Sequence, residues 1–383
     1  MNVLQIVDYV YPQISGIGVV AMDIAQSLKN SKKAEKQKII CINHNVVWDG
    51  MQLDADKNIR HRVHDIEVIR CRMDFHIASQ PVSFSYIRIL KKVMDGFRPD
   101  VVIFHYPNPY LAEFLLQYKK RAFKLVVWWH SDIIKQKILG KLFIKQNLDL
   151  IKRADWLVTT SQNYMDGSWY LSKYKNKCKV IPCCIMEDEM QITEKGKEKA
   201  ERIKLDGKIV CFSMGRHVAY KGLEYLIEAS KYLDNRFVFY IGSSGPLTEK
   251  LKKMTKNDSR FHFTGHLSKE DLCAYYYACD IFCFPSITRN EAFGIALADA
   301  LFYGKPSVTF TIPGSGVNYV NLDGVTGIEC RNKDSRQYAE AIQKMADDKE
   351  LRNQMGRNAH QRAKELFTFQ TFQKNVLRLF EEV

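Results

Sequence analysis

Ile209-Val-Cys-Phe-Ser-Met-Gly-Arg-His-Val-Ala-Tyr-Lys-Gly-Leu223 holds a strand, a glycine-bounded loop and the start of a helix. The apolar, β-branched run Ile209–Ser213 reads as a buried strand, and Leu223–Lys231 has helical periodicity. Between them, Arg216 and Lys221 stand on a strand-end loop. A planar guanidinium and a point-charge ammonium placed this way suit one anionic group such as a diphosphate.

Outward from this stretch the same unit repeats. Strands at Phe237–Ile241, Phe261–Thr264, Ile281–Phe284 and Ser307–Phe310 alternate with helices at Leu247–Met254, Lys269–Ala278 and Ile295–Tyr303. The amino-terminal half repeats the pattern. Runs at Val3–Val7, Ile39–Ile42, Val101–Phe104, Leu125–Trp129, Trp156–Thr159 and Lys179–Ile181 are separated by helical stretches at Val19–Leu28, Tyr86–Met94, Tyr110–Tyr118 and Leu142–Lys152. Alternation of this kind builds a parallel sheet covered on both faces. The polar stretch Glu187–Lys204 interrupts it once. The expected architecture is α/β, with two doubly wound, Rossmann-like domains facing across a cleft. The expected domains are residues 1–182 and 183–365, with a last helical segment, 366–383, packing back on the first domain. Ligands of such sheets sit beyond the carboxyl ends of the strands.

Composition narrows the class. With 383 residues, 46% of them hydrophobic, the chain is neither disordered nor low-complexity. No apolar run reaches the length of a transmembrane helix. The start, Met1–Asp8, reads as a first strand and lacks the basic region of a signal peptide. The ten cysteines form no paired CxxC pattern, so the expectation is reduced thiols in a cytoplasmic protein with no zinc site. The net charge of +14, with basic clusters at Lys29–Lys38 and Ile133–Lys145, asks for an anionic partner: nucleic acid, a membrane surface or a phosphorylated substrate.

Four further loops carry chemistry. Gly16 and Gly18 precede an apolar helix, where bare backbone N–H groups can approach a phosphate or sugar oxygen. This is not GxGxxG, and no acidic residue ends the second strand, which disfavours a dinucleotide. Gly242-Ser-Ser-Gly-Pro-Leu247 is another strand-to-helix turn, and Gly265-His266-Leu267 can offer backbone groups to a nucleobase edge. Ser268 reads as a helix N-cap with Asp271 three residues on. In Glu291-Ala-Phe-Gly-Ile-Ala-Leu-Ala-Asp299, the helix N-terminus at Phe293, Gly294 and Ile295 offers N–H groups to a phosphate. The spacing of Glu291 and Asp299 puts two carboxylates about two turns apart on one helical face. Asp54-Ala-Asp56 is the one Asp-x-Asp, in a polar stretch read as surface.

Together, Ser15-Gly-Ile-Gly18, His130 after its strand, Gly215-Arg216 with Tyr220-Lys-Gly222, Gly242–Leu247 and Glu291–Asp299 resemble glycosyltransferase family 4, the retaining group with the GT-B fold. Trp128–Ile134 and Gly314–Gly327 look like a subgroup of bacterial mannosyltransferases that build O-antigen and capsular polysaccharide. The resemblance covers nearly the whole chain. It implies an acceptor-side first domain and a nucleotide-sugar donor domain. Arg216 and Lys221 would bind the donor diphosphate, Glu291 the donor-sugar hydroxyls, His130 the donor sugar and Gly16 the diphosphate or acceptor. Asp299 stands where the family has a second Glu that binds ribose. Ser15-Gly16 replaces a Gly-Gly pair, and Pro182-Cys-Cys-Ile185 replaces the usual Pro-Asn-Gly boundary.

The expected reaction is hexose transfer, with mannose from GDP-mannose as the first choice, to a surface-glycan or lipid-linked acceptor. No metal or other cofactor is expected, and anionic membrane is a candidate peripheral contact. A family member using UDP- or ADP-glucose-type donors is the alternative. A basic nucleic-acid-binding α/β protein is a distant one, because no helix-turn-helix, zinc-finger or RNA-binding signature is present.

Overall fold

The structure, a computed structural model, describes residues 1–11, 16–44, 46–48, 51–77, 80–120, 122–133, 143–204 and 207–382. Ser15 and residues 134–142 of the second basic cluster lie outside the described residues.

The chain divides into two compact units. The first holds an eight-stranded sheet: β1 (Asn2–Ile6), β2 (Lys36–Ile42), β3 (Ile59–Val63), β4 (Ile66–Cys71), β5 (Val101–Tyr106), β6 (Lys124–Trp129), β7 (Trp156–Thr159) and β8 (Cys178–Val180). Their order is β8-β7-β6-β5-β1-β2-β4-β3. Every pairing is parallel except β3 with β4. Strands β5 and β6 are buried almost end to end, as a sheet covered on both faces requires. The β3–β4 pair escaped the reading of the sequence, because Ile59-Arg-His-Arg-Val63, at a sheet edge, has three polar residues between its two apolar ends.

The second unit has six parallel strands: β9 (Ile209–Met214), β10 (Phe237–Gly242), β11 (Phe261–Gly265), β12 (Ile281–Phe284), β13 (Ser307–Phe310) and β14 (Gly327–Cys330). Their order, β11-β10-β9-β12-β13-β14, reverses direction between β9 and β12. In the first unit the reversal falls between β5 and β1. Open α/β sheets bind ligands at the carboxyl ends beside such switch points.

Beside the changeover expected at 182/183 and the return expected at 366, the division falls at 181/182 and 371/372, with one further exchange. Residues 161–167 group with the second unit and residues 372–383 with the first. Close packing explains the further exchange: a Cβ at Gly167 would stand 2.3 Å from Gly314 Cα, and the Arg289 guanidinium donates to the Gly167 carbonyl. The return begins at 372 rather than 366 because Ile185 N–H donates to the Phe367 carbonyl (2.7 Å), and Phe369 N–H donates to Glu187 Oε2 (3.0 Å). Beyond that point Phe372 packs beside Trp128, Gln373 Nε2 donates to the Ser27 carbonyl (3.1 Å), and Glu382 pairs with Lys179.

Candidate functional site

In the second unit the loops after β9 and β12 are joined by backbone. Ile287 N–H donates to the Tyr220 carbonyl (2.9 Å). Gly222, at φ +62°, approaches so closely that a Cβ there would meet the Pro285 carbonyl oxygen at 2.2 Å. This junction delivers Lys221 to Glu291, and the two form a close ion pair with little exposure. Ser286 Oγ donates to Glu291 Oε2 (3.0 Å), and Ser315 Oγ donates to the Glu291 carbonyl. Lys221 Nζ also lies 4.8 Å from the centroid of Phe284. Burial alone would favour neutral Lys221, but the Glu291 carboxylate outweighs it and holds the ammonium above its ordinary range. Arg216, on the same loop, is exposed.

Glu291 and Asp299 do not share a helical face, contrary to their spacing. Gly294 takes φ +95°, so the helix runs only from Ile295 to Phe302 and Glu291 precedes it. Asp299 belongs to a different environment, with Tyr276, Tyr303, Lys269 and Glu189 around it. Burial pushes its carboxyl up to about 7, Lys269 pulls it down, and Glu189 adds to the rise. Among the described residues, no side-chain cap bond is made at the N-terminus of Ile295–Phe302, whose cap residue is Gly294.

The other second-unit residues scatter around the carboxyl ends. Gly265, at φ +68°, accepts the Ser243 N–H through its carbonyl (2.7 Å). His266 is exposed and bonds Ser244 Oγ through Nε2 (3.0 Å), while Leu267 is half-buried. Gly242 is buried against Met214, whose sulfur would sit 2.6 Å from an added Cβ; its bareness serves packing. Ser268 caps the Lys269–Ala278 helix by accepting the Asp271 N–H (3.1 Å). Asp54, of the Asp-x-Asp, pairs with Lys57 (2.6 Å).

In the first unit, His130 follows β6 and its N–H donates to the Tyr106 carbonyl (3.1 Å). Its ring bonds His105 on β5, and His105 bonds Gln5 on β1, both at 2.9 Å. Burial holds His130 down to about 3 and His105 well below the ordinary range, so both rings are neutral near pH 7. Nearby, Asn108 Nδ2 donates to Asp8 (2.6 Å), whose carboxyl burial pushes up to about 7. Gly16 opens the Gly16–Asn30 helix and is exposed, and Gly18 is buried in its first turn. Sequence reading missed Gln5, His105, Ser286 and Ser315. A histidine in Val-Val-Ile-Phe-His-Tyr, buried throughout, was the available signal for one of them.

Two Rossmann-like units of this topology define the GT-B class of glycosyltransferases. Sucrose-phosphate synthase from Thermosynechococcus elongatus superposes with a TM-score of 0.82 at 16% identity, over 100% of this chain and 98% of that one. Anabaena HepE, crystallised with UDP and glucose, gives 0.78 at 15% identity, over 100% and 99%. Sequence takes the comparison further. Residues 14–189 match Glycosyltransferase Family 4, and residues 194–362 match Glycosyl transferases group 1. O-antigen chain mannosyltransferase C of Escherichia coli is 30% identical over 331 residues, 86% of this chain and 87% of that protein. D-rhamnosyltransferase WbpZ of Pseudomonas aeruginosa is 32% identical over 80% of this chain and 78% of that one. The chain belongs to glycosyltransferase family 4.

Proposed function

We propose that the chain is a retaining, metal-independent transferase that moves a hexose from a nucleotide sugar onto a surface-glycan or lipid-linked acceptor, with GDP-mannose as donor. The observation that carries this reading is the Lys221–Glu291 pair beside the uncapped Ile295–Phe302 N-terminus, at the β9/β12 switch point. During transfer the anomeric carbon becomes cationic while the nucleoside diphosphate departs as an anion. Cations and N–H groups fixed at that anion stabilise the transition state more than the ground state. Arg216, Lys221 and the helix amides supply that charge without a metal. Glu291, held by Ser286 and Ser315, accepts hydrogen bonds from sugar hydroxyls. Asp299 takes the ribose, and the Gly265–Leu267 turn takes the base. Retention follows from front-face attack, with the diphosphate accepting the acceptor's proton. The names of the O-antigen mannosyltransferase and the rhamnosyltransferase support a bacterial glycan as product.

Among the described residues no helix is long and apolar enough to cross a membrane, so contact with a lipid-linked acceptor at the cytoplasmic membrane face would be peripheral. Screening nucleotide sugars for thermal stabilisation and turnover tests the reading, because a bound donor stabilises by mass action. GDP-mannose should raise the melting midpoint most and support transfer. Stabilisation by no nucleotide sugar would reject the function; turnover with UDP- or ADP-glucose alone would replace the donor.

A further inference from the structure

Three polar side chains cross the otherwise apolar centre of the first sheet. Gln5 on β1 is 1% exposed, His105 on β5 is 2% and His130 after β6 is 7%. We propose that Gln5 and His105 are positioning residues that lock His130 in its Nε2–H tautomer, so that Nδ1 is presented to ligand as a hydrogen-bond acceptor.

Gln5 Nε2 donates to the Ala21 carbonyl (2.9 Å). The reversed amide would set oxygen against oxygen, so Gln5 Oε1 faces His105 Nε2, 2.9 Å away. That nitrogen must carry the proton. A neutral imidazole has one N–H, so His105 Nδ1 is a lone pair. It lies 2.9 Å from His130 Nε2, which must in turn be the donor. The ring centroids are 5.2 Å apart with planes inclined by 14°, the spacing expected when this bond lies in both ring planes. Nδ1 of His130 then ends the chain as an acceptor with no hydrogen bond among the described residues. Burial keeps both rings neutral near pH 7, which preserves the alternation.

A chain satisfied at every internal atom rigidifies the group at its end, and an orienting neighbour selects a histidine's tautomer. Such a His130 receives a hydroxyl proton. A phosphate oxygen would meet it lone pair against lone pair. The inference therefore deepens the reading of His130 as a donor-sugar residue and rests on that reading for its ligand, though not for its tautomer.

The test is a long-range proton–nitrogen NMR spectrum of ligand-free, imidazole-labelled protein at pH 7, with His130 assigned by signal loss in His130→Gln. The expected pattern is a protonated Nε2 and a bare Nδ1. The opposite tautomer, or an imidazolium, overturns the proposal. In His105→Phe the ring should become a mixture of tautomers. Its kcat should fall roughly 10–100-fold, the scale on which outer hydrogen-bond partners act on the groups they orient, with little change in donor KM. An unchanged tautomer or an unchanged kcat overturns the positioning role. Gln5→Met, which frees His105 to flip, is read the same way if His105→Phe does not fold, and the wild-type spectrum decides the tautomer in any case. Because the spectrum needs neither ligand nor turnover, the relay and the transferase reading can fail separately.

Discussion

The two units place opposite kinds of chemistry at their strand ends. In the second, Lys221 and Glu291 form a close ion pair, and Glu291 is fastened by the hydroxyls of Ser286 on its own loop and Ser315 on another. In the first, Gln5, His105 and His130 carry no charge and are joined by a directional chain of hydrogen bonds. Charge acts on whatever anion approaches. A neutral chain distinguishes donor from acceptor. The division matches a reaction with one anionic leaving group and one neutral, hydroxyl-bearing sugar.

The largest effect should come from breaking the charged half. Lys221→Ala is expected to cut turnover by about 10²–10³. It should also cost about 3 kcal/mol of stability, because Glu291 keeps a buried carboxylate without its cation. Arg216→Ala separates these effects. Arg216 is exposed, so stability should move by no more than about 0.5 kcal/mol while turnover falls on the same scale. Near-normal turnover in both variants would remove the diphosphate role.

A smaller effect concerns pH. Asp299 holds its proton to about pH 7 in the folded chain, but only to its ordinary value near 3.8 when unfolded. The folded state therefore binds more protons between those values, and stability falls as pH rises through the window. Asp299→Asn should flatten that fall, a change of at least about 1 kcal/mol or roughly 2–4 °C in the midpoint. Asp8, also raised to about 7, has the same sign. His130 and His105 have the opposite sign: held neutral when folded, they cost stability as pH drops below about 6.5. Melting curves from pH 4 to 8 that do not differ between Asp299→Asn and wild type would refute the Asp299 assignment. The smallest expected effect is none: turnover should survive excess chelator. Loss on chelation, with rescue by magnesium or manganese, would transfer the work of Arg216 and Lys221 to a metal.

Much of the fold was legible because parallel strands buried on both faces announce themselves as apolar runs. Trp156–Thr159, Lys269–Ala278, Ile281–Phe284 and Ser307–Phe310 coincide with the expected bounds, and the others differ by a few residues at their ends. What could not be read depended on distance along the chain. Lys221 and Glu291 are both visible as loop residues, but their pairing follows from Gly222 meeting Pro285, which no local pattern contains. The helical spacing of Glu291 and Asp299 misled because Gly294 adopts a left-handed backbone and starts the helix late. Gln5 and His105 look like incidental polar residues until β1, β5 and β6 are set side by side.

The return of residues 372–383 to the first unit bears on synthesis order. Most of that unit leaves the ribosome by Ile181, yet Phe372 and Gln373, which pack at Trp128 and Ser27, follow only after the whole second unit. At roughly 5–20 residues per second that is a wait of about 10–40 s. During it, the earlier-made unit lacks part of its own cover, and by its end the later-made unit has all of its residues up to 371. A nonsense codon near 372 would accordingly harm the oldest part of the nascent chain and spare the newest.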